Sequence, residues 1–285
     1  MNHHTTPHKR HKARKFPIRI AVFFTVFLLL CTLALYRGLV SRQYTVTSHK
    51  LQNTEPVKIA LITDLHNYIY SIDQQPLISK IADMQPDLIC LAGDITDGIR
   101  PMQGTELLLE GILPIAPCLY VTGNHEYWDH YEPTFAMLEH YGIPILRNES
   151  IEMKIKGQSF ILYGIDDPHY SRPWDFDKFL TNWMPPKDDS YTILLSHRPD
   201  PIEFFARYGF DLVLSGHTHG GQVRIPFFAN GLFAPDQGWF PKYAGGLYTV
   251  ENTTLIISRG LAHYPQLPRV FNPPEVVEVR LMQTP

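Results

Sequence analysis

Residues 211–221 read DLVLSGHTHGG, a short apolar run that ends abruptly in glycine and histidine. Such a run, bounded by turn-forming residues, predicts a buried strand that delivers a polar loop at its carboxyl end. Moving outward, the pattern recurs. Val57–Thr63 (VKIALIT) leads into Asp64-Leu65-His66, and Asp87–Ala92 (DLICLA) into Gly93-Asp94. Cys118–Thr122 leads into Gly123-Asn124-His125-Glu126, and Tyr191–Leu195 (YTILL) into Ser196-His197. Thr254–Ser258 and Val276–Leu281 are strand-like as well. Between them lie helical patterns at Pro76–Met84, Thr105–Ile112, Pro133–Tyr141 and Pro201–Tyr208, the last two stopped by Gly142 and Gly209. Alternating strands and helices predict an α/β core, and continuously apolar strands predict sheets covered on both faces. Lys154–Gly164 and the C-terminal segment read as hairpin or β-rich elements. The expectation is therefore a two-sheet α/β sandwich rather than a doubly wound sheet.

In open α/β sheets ligands gather beyond the carboxyl ends of the strands, so these five loops are expected to share one crevice. Five of the nine histidines after residue 50 lie in them: His66, His125, His197, His217 and His219. Asp, His and Asn without a thiolate suit intermediate divalent ions such as Mn²⁺, Fe²⁺ or Zn²⁺. Asp64 and His66 are two apart, and on a regular strand they share a face. His217 and His219 have the same spacing, with Gly216, Gly220 and Gly221 permitting a tight backbone. Asp94 stands where it can bridge two ions, and Asn124 is a neutral oxygen donor. Singly, D-x-H reads as ordinary exposed residues, G-D-x-x-D as a turn, and His197 as a packing residue. G-H-x-H-G-G is rarer, arising by chance roughly once in 10⁴ chains of this composition.

The chain has 285 residues, 44% of them apolar. That is room for one core-bearing domain of about 230 residues and an appendage. Residues 1–50 hold nine Lys/Arg and no Asp/Glu, whereas the remainder sets 16 bases against 28 acids, a balance of −12. Such an acidic body disfavours generic nucleic-acid binding. Cys31, Cys90 and Cys118 exclude a disulfide scaffold and lack C-x-x-C spacing; Cys90 and Cys118 read as buried thiols within strands. Residues 1–17 are expected to form a basic cytoplasmic tail, 18–36 a transmembrane anchor, 37–55 a polar linker, and 56–285 the body. The uncharged run Ile20–Tyr36 reaches about 26 Å as a helix, and Arg19 and Arg37 can snorkel to lengthen it. Six bases precede the run and three follow it closely, which puts the N-terminus in the cytoplasm and the body outside. No A-x-A site follows, so an uncleaved anchor is expected rather than a signal peptide.

D-x-H, G-D-x-x-D, G-N-H-E, a lone His and G-H-x-H, in this order, resemble the calcineurin-like metallophosphoesterase superfamily. GHTHGGQVRIP, the later FAP, ISRGL and PEVVEVRL are similar to its membrane-associated bacterial branch, the YkuE/YaeI-type phosphoesterases. The resemblance spans about residues 56–285. It implies a four-layer α/β/β/α sandwich, here preceded by one N-terminal transmembrane helix, and a centre of two divalent ions. By motif, one ion would take Asp64, His66, Asp94 and His219, and the other Asp94, Asn124, His197 and His217. The ions would lie about 3.5–4 Å apart and activate a hydroxide as nucleophile. His125 would stabilise charge or protonate the leaving oxygen, oriented by Asp97.

Two positions depart from the phosphoprotein-phosphatase pattern. Asn67 replaces Gly after D-x-H, and Gly98 replaces Arg after G-D-x-x-D, which removes a bidentate phosphate clamp. Tyr68, Tyr70 and His169 are expected either at the mouth of the site or as ordinary loop residues. Pro226–Tyr248 carries seven aromatics and reads either as an apolar wall for a lipid-linked substrate or as packing of a β-rich flap. The expected activity is thus membrane-anchored, metal-dependent hydrolysis of a phosphate ester, with a lipid-linked or cell-envelope substrate as the expected class. A non-catalytic scaffold on the same fold and a nucleotide or nucleic-acid phosphodiesterase are the alternatives.

Overall fold

A computed structural model describes residues 16–52, 55–128, 130–168, 190–263 and 268–284. The basic tail before Phe16 and His169 lie outside them. Among the described residues, thirteen strands and five α-helices alternate much as the apolar pattern predicts. Strands β1 (Val40–Ser48), β2 (Val57–Ile62), β3 (Leu88–Ala92), β4 (Cys118–Val121) and β13 (Glu275–Gln283) form one sheet in the order β1-β13-β2-β3-β4. A second sheet has the order β11-β12-β8-β7-β6-β5. It contains β5 (Glu149–Ile155), β6 (Gln158–Gly164), β7 (Tyr191–Leu195), β8 (Leu212–Ser215), β11 (Gly246–Val250) and β12 (Thr253–Ile257). Both sheets are mixed. β2, β3 and β4 run parallel, as do β6, β7, β8 and β12, and the expected hairpin is β5–β6. β9 (Phe233–Ala234) and β10 (Gly238–Trp239) make a small separate ribbon.

The period-2 alternation of each strand decides the layers. Val57, Ile59 and Leu61 of β2 face a core shared with Ile193 and Leu195 of β7, and Leu212 and Leu214 of β8. Ala60 and Ile62 face outward, against α2 (Gln75–Met84), α3 (Gln103–Ile112) and α4 (Glu132–His140). On the second sheet, Val213, Leu255 and Ile257 face α5 (Ile202–Arg207). Helix, sheet, sheet and helix thus bury three apolar interfaces. Cys90 lies between the sheets and Cys118 against the helices, where burial pushes its thiol up to about 12.

Residues 37–55 are not merely a tether. Val40–Ser48 is β1, pairing in parallel with β13 from Val40–Glu275 to Ser48–Gln283. Its polar residues obscured it, because an edge strand needs few apolar contacts; Val46 alone is fully inside, with Tyr44 packed beside it. The body therefore begins at about Val40. Ahead of it runs α1 (Phe16–Ala34), with many exposed apolar side chains, Ile18 and Phe23 by about two-thirds. Among the described residues no helix is long and apolar enough to cross a membrane. The end of α1 is fastened to the body by Phe271 N, which donates to the Ala34 carbonyl at 2.7 Å.

Candidate metal centre

The loops after β2, β3, β4, β7 and β8 meet at one edge of the two sheets, and backbone hydrogen bonds join them. Asp64, His66 and Asn67 N–H groups donate to the Gly93, Asp94 and Ile95 carbonyls, each at 3.0 Å. Gly216 N donates to the His197 carbonyl at 3.0 Å, and Ala262 N to the Asp64 carbonyl at 2.7 Å. The expectation that Asp64 and His66 share the face of a regular strand does not hold. β2 stops at Ile62, and both residues are left-handed, with φ of 53° and 49°. Asp94, His217 and His219 are left-handed too, with φ of 51°, 70° and 47°. Each such residue costs on the order of 1–3 kcal/mol, and strain of this kind concentrates at functional sites. Glycine permits the close approach. A Cβ at Gly93, whose φ is +82°, would lie 2.5 Å from His197 Nδ1; one at Gly216 would lie 2.6 Å from Asp64 Oδ2.

Three overlapping groups converge: Asp64, His66 and His219; His66, Asp94 and His125; Asp94, His197 and His217. Within each group, one donor atom per residue lies within 4.8 Å of the others. Asp94 Oδ2 is 3.1 Å from His197 Nε2, 3.6 Å from His66 Nε2 and 4.0 Å from His125 Nε2. Asp64 Oδ1 is 3.8 Å from His219 Nε2, and His217 Nδ1 is 3.2 Å from His197 Nε2.

These residues fit a divalent cation. Asn124 Oδ1 is buried with no hydrogen-bond partner, a costly state for an acceptor unless a cation faces it. Burial holds the pKa of His66 and His219 well below the ordinary value, so these imidazoles stay neutral, as ligation requires, and burial lowers that of His125 too. His197 goes the other way. Burial lowers its pKa, but the Asp94 carboxylate overrides this and raises it to about 10. Its Nδ1 sits 2.9 Å from the Ala92 carbonyl, which makes Nδ1 the donor and turns Nε2 toward Asp94.

Several positioning residues escaped the sequence reading. Glu126, the last letter of G-N-H-E, is buried and ringed by donors. Asp94 N and Gly123 N donate to its Oε2 at 2.9 and 2.7 Å; Ile95 N, Thr96 N and the Tyr120 hydroxyl reach Oε1 at 2.9, 3.1 and 2.6 Å. One carboxylate thus clamps the Asp94 loop to the Asn124 loop. Burial, then the Asp94 charge, pushes its pKa up to about 7. Asp236, directly after the FAP triplet, accepts from His217 Nε2 at 2.7 Å and from Arg198. Arg198 in turn pairs with buried Asp167 at 2.8 Å.

Asp97 lines a pocket together with His125, but its closest contacts are to other groups. Its carboxylate is 3.9 Å from His66 Nδ1 and accepts from Arg100 Nη1 at 2.8 Å. Asn67, the departure from Gly, is left-handed at φ 55°. Its side-chain amide donates to the Asp97 and Arg100 carbonyls at 3.1 and 3.0 Å, which ties that loop down. Tyr68 and Tyr70 pack against the helix-side core, and the Tyr70 hydroxyl donates to the Leu261 carbonyl at 2.5 Å.

Beside His125 and His219 opens a cavity of about 640 Å³ lined by Ile99, Trp128, Val223, Leu232, Phe233 and Trp239. The aromatic segment 226–248 is therefore divided. Phe233 and Trp239 wall this cavity, Tyr243 is buried on the far sheet, and Phe227 and Phe228 project into solvent.

A family model described as calcineurin-like phosphoesterase matches residues 57–221. An uncharacterized metallophosphoesterase of Helicobacter pylori (strain J99) is 30% identical over 256 residues, covering 87% of this chain and 66% of its own. The uncharacterized metallophosphoesterase YkuE of Bacillus subtilis is 29% identical over 237 residues, covering 80% and 79%. A transmembrane protein with metallophosphoesterase domain from Bos taurus is 28% identical over 297 residues, covering 96% and 65%.

Proposed function

The chain belongs to the calcineurin-like phosphoesterase family and is a metal-dependent phosphoric ester hydrolase, and from that premise we propose which residues act and on what. Asp64, His66, Asp94 and His219 hold one divalent ion; Asp94, Asn124, His197 and His217 hold the other, with Asp94 shared. The observation that carries this reading is the Asn124 oxygen, buried and unpartnered among the converging carboxylates and imidazoles. When bound, the two ions polarise the phosphoryl group and lower the pKa of a water molecule. The residues themselves do the rest. Asp94 anchors the site by accepting from His125 N–H at 2.8 Å, and Asp64 by accepting from His217 N–H at 3.1 Å. His125 is the candidate acid. Its ring stacks on Trp128 at 3.5 Å, so it is held still, and its Nε2 faces the site beside Asp94. From there it donates a proton or hydrogen bond to the phosphate or leaving oxygen. Asp97 acts as a positioning residue through His66 and Arg100.

The substrate is an ester with an apolar portion, lipid-linked or of the cell envelope. The support is the cavity beside His125 and His219, whose walls are overwhelmingly aliphatic and aromatic and whose volume suits one medium-sized apolar group. Segment 18–36 anchors the body to the membrane, with Leu35 and Tyr36 extending the apolar run beyond α1 and Arg19 and Arg37 snorkelling at its two ends. Its exposed apolar surface and the bovine relative's name support this, and the charge asymmetry supports an extracytoplasmic body. The test is hydrolysis of bis-p-nitrophenyl phosphate by the full chain with Mn²⁺, Fe²⁺ or Zn²⁺, abolished by chelation. A folded sample inert with every ion overturns the proposal. Protease access to the body in intact cells tests its side of the membrane.

A further inference from the structure

A second cavity, of about 430 Å³, opens away from the metal centre between Arg42, Arg224, Arg259, Asn230, Phe271 and the loop Ile225–Phe228. Its charges do not balance. Glu275 is the carboxylate facing the three guanidinium groups, 3.4 Å from Arg259 Nε and 3.8 Å from Arg42 Nε. One Arg224 Nη2 donates to Asn230, but its Nη1 is buried and has no hydrogen-bond partner; Arg259 Nε is likewise without one. Burial, then the neighbouring Arg259, pulls the Arg224 pKa down to about 10, against the opposing pull of Glu275. Donors arranged so await an acceptor, and guanidinium forks match a phosphate.

The cavity's surroundings identify the source of that phosphate. Phe271 lines it, and the Phe271 N–H holds the Ala34 carbonyl at the end of α1. Arg42 lies on β1, which starts six residues beyond that helix. At the rim, Phe227 and Phe228 are about 100% and 90% exposed, with Ile225 also outside. Cations ringed by protruding aromatics, at the foot of an apolar helix, match the boundary between lipid headgroups and acyl chains.

We propose that Arg42, Arg224 and Arg259 bind the phosphate of an anionic lipid headgroup, while Phe227 and Phe228 enter the acyl boundary, so that the body is held at a fixed tilt on the bilayer. The proposal rests on α1 meeting a membrane, which fractionation of cells tests separately. The binding test uses the full chain in a neutral detergent, stripped of metal so that the acidic hydrolytic site takes no anion. It is titrated calorimetrically with dihexanoyl phosphatidylglycerol, dihexanoyl phosphatidylcholine and inorganic phosphate. Phosphatidylglycerol is expected to bind one site about 30-fold tighter than phosphatidylcholine, the ratio that two net positive charges give near a membrane surface. Arg224→Gln should weaken phosphatidylglycerol about fivefold. Arg42→Gln, at a half-exposed position, should do the same without risk to folding. Phe227→Ser with Phe228→Ser should weaken phosphatidylglycerol and leave inorganic phosphate unchanged. All variants should retain wild-type hydrolysis of bis-p-nitrophenyl phosphate when metal is restored. Equal affinity for the two lipids, or insensitivity to both arginine substitutions, overturns the proposal. Inorganic phosphate binding as tightly as phosphatidylglycerol overturns the lipid as its source.

Discussion

Glu126→Gln is nearly isosteric and removes one charge, yet the structure makes it a severe change. Each carboxylate oxygen of Glu126 accepts from two backbone N–H groups, Asp94 and Gly123 on Oε2, Ile95 and Thr96 on Oε1. A glutamine has one acceptor oxygen and one NH₂. Whichever way its amide is turned, the NH₂ faces two backbone donors and satisfies neither. The Tyr120 hydroxyl can rotate to accept, but the peptide groups cannot. Two buried N–H groups left unsatisfied cost about 1–3 kcal/mol each, so a loss of about 2–6 kcal/mol is expected. For a body of this size that lowers the melting temperature by roughly 5–20 °C. Because either orientation orphans Asp94 N or the adjacent Ile95 N, metal retention should fall with stability. Scanning calorimetry and metal analysis of wild type, Glu126→Gln and Glu126→Asp measure both. A Glu126→Gln protein that melts within about 2 °C of wild type and keeps its metal would refute the clamp.

Asp94→Asn should lose most bound metal and all measurable turnover, since the carboxylate shared by the two proposed ion sites becomes an amide; inductively coupled plasma analysis and ester hydrolysis read the two effects. His125→Ala should keep wild-type metal content while turnover falls about 10²–10⁴-fold, and parallel loss of metal would instead make His125 a ligand. Stability of the chelated protein should peak near neutral pH. His66, His125 and His219 have pKa values held down in the fold, so below about 6.5 the unfolded chain takes up protons that the native state refuses, and stability falls with acid. His197, raised to about 10, holds a proton that the unfolded chain releases above about 6.5, so its contribution is lost as pH rises toward 10. Urea midpoints that climb steadily from pH 5 to 9 would contradict this.

Most of the scaffold was legible because strands buried on both faces carry uninterrupted apolar runs. β2, β3, β4, β7, β8 and β12 each fall within a residue or so of the run that predicts them. β1 was not, because its inner face needs only Tyr44 and Val46. Around the metal centre, residue types in order named the groups that converge, but their mates were hidden. Glu126 acts through a ring of backbone donors that no side-chain spacing encodes. Asp236 meets His217 across a loop whose path depends on the ribbon β9–β10.

The conformations of the ligands were hidden for a deeper reason. Period-2 reasoning places Asp64 and His66 on one face of a strand, whereas the chain turns left-handed at both. Local propensity opposes that geometry, so only tertiary contacts explain it. Five left-handed non-glycine residues at roughly 1–3 kcal/mol each amount to a strain comparable with the whole stability of an ordinary domain. The hydrogen bonds from Asp64, His66 and Asn67 to the Gly93–Ile95 carbonyls offset part of it. Attraction between two divalent ions and the Asp64 and Asp94 carboxylates can offset the rest, because ligands that bind only the native state stabilise it by mass action. Loops strained toward their ligands are therefore expected to relax first when metal is withdrawn. Hydrogen exchange should quicken at residues 64–67 and 216–221 on chelation while the β2 and β3 amides stay protected; uniform quickening across both sheets would mean the strain is spread through the fold instead.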